Sequence, residues 1–120
     1  MSNKTASHED LIAQWNHVIS ETNWVKGRII SEAANGVPND GEWVSSVGGI
    51  TETHVGNLRR VHNRFGGVRV FYLNLKWPHF LAALDWEDAE EWLKLADDQK
   101  LTVMQMREKR WVTEGVLPND

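Results

Sequence analysis

Three features of the sequence predict an all-α fold built as a single helical domain over residues 1–120. Apolar residues recur at three- and four-residue spacing through most of the chain. Helix-start signals stand ahead of those runs at Ser7, Thr22, Thr51 and Thr102. The one stretch rich in β-branched and aromatic residues, VRVFYLNLKW from Val68, alternates poorly and has no second strand to pair with.

Ser7, with Asp10 three residues on, opens the first helix: the hydroxyl caps and the carboxylate sits near the positive helix end. Leu11, Trp15, Val18 and Ile19 then recur at helical spacing. Thr22 is a second cap candidate, and Trp24, Val25, Ile29, Ile30 and Ala33 fall on one broad side. The spacing fits two helices or one bent helix, because Gly27 weakens a helix without forbidding it. Asn35 and Gly36 are the expected stop. This N-terminal part is expected to be a scaffold beneath the central helices. Val37 to Gly41 has the Pro, Asn, Asp and Gly of a loop, with Asn39 or Asp40 as cap for the next helix.

From Gly41 to Phe65 the sequence reads as a helix-turn-helix. Val44 and Ser45 lie in its first helix, Ser45 being small enough for close approach. Gly48 and Gly49 supply the turn, where a left-handed backbone costs glycine nothing. Ile50 plugs the space between the helices, and Thr51 caps the second. On that second helix Val55, Leu58, Val61 and Phe65 share one side, with Glu52, Thr53, Gly56, Asn57, Arg60, Asn63 and Arg64 on the other.

After Gly66 and Gly67, residues 68–77 are expected to form an extended or partly helical connector. A C-terminal helical pair over about 78–112 comes next. Trp77-Pro78 opens a helix, and Asp85 starts another with Trp86, Ala89, Trp92, Leu93 and Ala96 inward and Glu90 paired to Lys94. Thr102 and Gln105 form a capping box for a last helix running to about Trp111, with a frayed tail from Thr113.

The exposed side of the second helix in the helix-turn-helix suggests DNA binding. Thr53, Asn57 and Arg60 are the candidates for base contact, since Asn and Arg match adenine and guanine edges in the major groove. Arg59, Arg64 and Arg69, with the Thr51 hydroxyl, are the candidates for phosphate. Charge supports the placement. The chain carries −4 overall, but residues 1–50 hold −3, residues 51–83 hold +4 and residues 84–120 hold −5. Positive charge therefore gathers on and just after the proposed recognition helix.

The segment GEWVSSVGGITETHVGNLRRVHNRFG resembles one in bacterial proteins related to the ParB/KorB-type DNA-binding domain, with its G-E-W start and later Gly, Ile, Thr, Val and Leu. WPHFLAALDWEDAEEWLKLADDQKLTVMQMREKRW is similar to the helices that accompany it in that family. The resemblance implies a non-enzymatic regulatory or partition-like accessory factor whose partner is double-stranded DNA, with a homodimer or a protein partner as further expectations. Gly56 departs from the pattern, standing where a side chain often touches DNA.

Other chemistry finds little support. The composition, 41% hydrophobic and 25% charged, is that of an ordinary globular domain. There is no cysteine, so thiolate metal sites and disulfides are excluded. No two of His8, His17, His54, His62 and His79 are four residues apart, so no metal or other cofactor is expected. Glu87, Asp88, Glu90 and Glu91 have no nucleophile or phosphate loop beside them and read as helix-start carboxylates rather than a catalytic pair. The seven tryptophans read as core, Trp111 being the expected exception. A polar start and the absence of any long apolar run argue against a membrane and make the cytoplasm the expected location. The competing reading is an adaptor that docks a protein through the acidic C-terminal helices.

Overall fold

The computed structural model describes residues 7–33, 40–47 and 49–115. Along the chain come α1 (His8–Ala33), α2 (Asp40–Val47), α3 (Glu52–Phe65), a 3-10 turn at Arg69–Phe71, α4 (Trp77–Ala83), α5 (Ala89–Gln99) and α6 (Val103–Glu114). The fold is all-helical, and residues 68–76 form turns, a 3-10 segment and irregular chain rather than strand.

Helix α3 lies at the centre of the core. Val55, Leu58 and Val61 are fully buried and Phe65 nearly so, each burial being worth roughly 1.5–3 kcal/mol. Thr51 caps the helix as its position demands, its hydroxyl accepting from the His54 N–H at 3.1 Å. Gly49 ahead of it has a φ of +70°, the left-handed conformation that favours glycine. Trp43, Val44 and Ile50 are half-buried against the core. Ser45, by contrast, is exposed. Gly48, the stop at Asn35-Gly36 and the cap at Asn39 lie outside the described residues, as does the Asp40 side chain.

The close helix crossing is elsewhere, between α1 and α3. A Cβ on Gly27 would stand 2.7 Å from the Leu58 carbonyl oxygen and 2.9 Å from the His62 Cβ. Only a bare backbone lets the two helices meet there. One turn on, the Ser31 hydroxyl donates to Asn63 Oδ1 at 3.0 Å. Helix α1 is thus one continuous helix, and Thr22 caps nothing: it lies inside it.

Ser7 and Asp10 cap α1 reciprocally, at 3.0 and 3.3 Å. Thr102 and Gln105 do the same for α6, at 3.1 and 2.9 Å. That last helix outruns its expected end, continuing to Glu114 and closing on Gly115 at φ +71°. Helix α5 begins later than expected, at Ala89, because Asp85 to Asp88 form turns. Lys94 pairs with Asp98 at 3.1 Å rather than with Glu90, which faces Arg64.

Two buried polar side chains tie the C-terminal helices down. Ser20 on α1 accepts from the Trp77 N–H at 2.9 Å. His79 accepts from the Lys76 N–H at Nδ1, so its Nε2 carries the proton and donates to the Leu101 carbonyl at 2.8 Å. The histidine fastens α4 to the α5–α6 junction.

The first half of α1 contradicts the expected packing. Every residue from Ser7 to Ile19 is exposed, including Leu11, Trp15, Val18 and Ile19, because the described chain buries α1 only from Ser20 onward. The radius of gyration, 17.1 Å, exceeds the roughly 14 Å of a well-packed chain of this length. Of the second half, Trp24 and Ile30 are buried while Val25 and Ile29 face outward.

Candidate nucleic-acid interface

The side of α3 that turns away from the core divides into two unlike halves. At its start Thr51, Glu52, Thr53 and His54 are exposed, with Gly56 and Asn57 half-buried behind them. Thr51 spends its hydroxyl oxygen on the helix cap, and Thr53 stands open.

Further along, the arginines turn toward their own chain. Arg60 meets Asp85 at 2.5 Å, on a pair with 49% and 75% of the side chains exposed. An ion pair that open is worth about 0–1 kcal/mol. Arg59 is half-buried. Arg64 donates to the Leu84 and Trp86 carbonyl oxygens, lies over the Phe65 ring at 5.0 Å and stands 3.8 Å from Glu90. It holds together the α4–α5 turns. Arg69 makes a two-pronged bond to Glu21, at 2.9 and 3.2 Å, and stacks 4.8 Å over Trp24. Arg64 and Arg69, expected at phosphate, thus have their terminal nitrogens engaged within the fold. Their partners lie 19 to 48 residues away in sequence, and no local pattern announces them.

The bond from Arg69, opposed by burial, leaves the Glu21 carboxyl below its ordinary value of 4.5. A carboxylate with a lowered folded pKa stabilises above its unfolded value and loses that contribution as pH falls through the folded one. Glu21→Gln is therefore expected to lower the urea midpoint at neutral pH, with the gap to wild type closing as pH drops below 4.5. A gap that persists in acid would assign the loss to packing instead.

A second arginine cluster is structural as well. Arg110 donates to Asp88 at 3.1 Å and stacks 4.4 Å over Trp86, while Trp92 Nε1 donates to the same carboxylate at 2.8 Å. Burial pushes the Asp88 carboxyl up, but the bonds from Trp92 and Arg110, a backbone N–H and the Arg110 charge together outweigh it, and its pKa falls. The carboxylates expected as helix-start residues thus include one that clasps α5 to α6. Trp24 and Trp77 are buried and Trp43, Trp86 and Trp92 half-buried. Trp111 is exposed as expected, at 36%, yet Trp15 is more so, at 68%. Among the described residues no three His, Asp or Glu side chains are grouped to hold a metal ion, and no helix is long and apolar enough to cross a membrane.

Fold and surface define an all-helical domain whose central helix is open at its start and clamped at its end. Comparison of the chain with protein-family models, curated proteins and solved structures gives no match.

Proposed function

We propose that this chain is a non-enzymatic DNA-binding protein that offers the first three turns of α3 to the major groove. The observation that supports it most is the two-sidedness of that helix. Val55, Leu58 and Val61 are wholly buried, while Thr53 on the opposite side is exposed directly after a left-handed glycine turn and a threonine cap. Thr53, Asn57 and Arg60 remain the base-reading candidates, and Arg59 the phosphate candidate on this helix. Arg64 and Arg69 act by fixing the helix in place.

In this reading Asp85 competes with DNA for Arg60. Titration of the full chain with duplex DNA at low, stated salt is expected to shift the amide resonances of residues 51–60. Unmoved resonances there would remove the reading. Arg60→Ala is expected to weaken binding to a preferred site by roughly 1–3 kcal/mol, the usual value of a bidentate base contact. Asp85→Asn is expected to tighten it by up to about five-fold, the strength of an exposed ion pair. Affinity that ignores both changes would take Arg60 off the interface.

A docking role for the C-terminal helices has one observation of its own. Met104 is 69% exposed and Val112 60%, and Trp111 lies with them on α6. An adaptor using that face would leave the α3 resonances unmoved by DNA and lose its partner on Met104→Lys.

A further inference from the structure

We infer that the outward face of α1 is a coiled-coil seam that takes a second copy of this chain, antiparallel, about a two-fold axis at residue 20. Leu11, Trp15, Val18, Thr22, Val25 and Ile29 succeed one another at alternating spacings of four and three. That is the repeat by which one helix packs along another, rather than onto a flat surface. The five apolar members are exposed, between 41% and 68%, with Ile12 and Ile19 beside them at 46% and 44%. The opposite side of α1 carries Ser20, Trp24, Gly27 and Ile30, which the chain buries itself. The helix thus has two apolar sides, and the fold uses one.

Something must cover the other. From Ser7 to Ile19 no residue is buried on any side, and a helix of about 12 residues standing alone in water is marginal. A second copy fits because the seam is symmetric about its own middle. Run antiparallel, Leu11 meets Ile29 of the other copy, Trp15 meets Val25 and Val18 meets Thr22, so the one large side chain, Trp15, faces a valine. A parallel pair would set Trp15 against Trp15. In the antiparallel pair the exposed first half of each helix lies along the anchored second half of the other, and the helix dipoles oppose. Glu21 would approach its own copy near the axis, but its charge is already met by Arg69.

The area suffices. Seven half-exposed side chains at about 100 Å² each give roughly 700 Å² per copy, or about 1,400 Å² per pair, within the range of stable interfaces.

The inference is independent of the DNA reading. Sedimentation of the full chain over roughly 1–100 µM, the span of an ordinary reversible dimer, is expected to give a dimer. Val18→Lys and Trp15→Lys are expected to give a monomer with the near-ultraviolet signal of the buried tryptophans kept, while Ala13→Lys, on another side of α1, leaves the dimer intact. The chain has no cysteine, so a spin label on His8→Cys reports the direction. The two labels should lie about 36 Å apart along the axis in the antiparallel pair, against about 10 Å in a parallel one. A wild-type chain monomeric throughout, an undiminished dimer in Val18→Lys, or a short label distance would each overturn the proposal.

Discussion

Phe80→Ala is expected to cost about 3–5 kcal/mol, the range for emptying a buried phenylalanine site. The ring is 1% exposed and lies where four segments meet. It packs edge-on to Trp24 of α1 at 5.2 Å, tilted to Phe65 of α3 at 5.4 Å, and edge-on to Tyr72 of the connector at 5.8 Å. Trp24 in turn stands edge-on to Trp77 at 4.7 Å. These contacts come from rigid helices, so the site has little freedom to collapse and the residual cavity should be large. Domains of this size have about 5–15 kcal/mol in total, so the variant stands near the edge of stability. Urea unfolding monitored by circular dichroism checks it, with Phe80→Leu as the volume-retaining control. A loss below about 1 kcal/mol would mean that the site closes up, against the packing described.

Such a hub is the sort of feature that a sequence half conceals. Phe80 appears as one apolar residue in HFLAAL, and only the fold brings Trp24, Phe65 and Tyr72 to it. What the sequence does disclose is local. The pairs Ser7 with Asp10, Thr51 with His54 and Thr102 with Gln105 act over three residues, and the buried side of α3 comes from a single helical period. The arginines of the candidate interface are readable as cations but not as anchors, because Arg60 finds Asp85 and Arg69 finds Glu21 across 25 and 48 residues. Leu11, Trp15 and Val18 pose the opposite difficulty. Their spacing says that something covers them; it does not say that the cover belongs to the same chain.

Gly27→Val is the second large effect, and its sign is a contest. A glycine inside a helix costs about 1 kcal/mol against alanine, so propensity alone favours replacement, though a β-branched residue recovers only part of that. Space decides otherwise. The new Cβ would meet the Leu58 carbonyl oxygen at 2.7 Å, and that oxygen is backbone in the middle of α3, so it cannot swing aside as a side chain would. Either α1 and α3 move apart or α1 rotates, and each opens contacts that bury Trp24 and Ile30. Forcing methyl groups into a packed contact costs typically 1–3 kcal/mol, occasionally more, and two further methyls on a Cβ already in collision place valine at the upper end. The net expectation is a loss of about 2–4 kcal/mol, read as a lower urea midpoint, with Gly27→Ala losing less. Because the same crossing sets the tilt of α3, the folded fraction of the Gly27→Val variant should also show shifted amide resonances at residues 58–62 without any ligand. Unchanged stability and unchanged resonances would mean that the two helices are not in contact at Gly27.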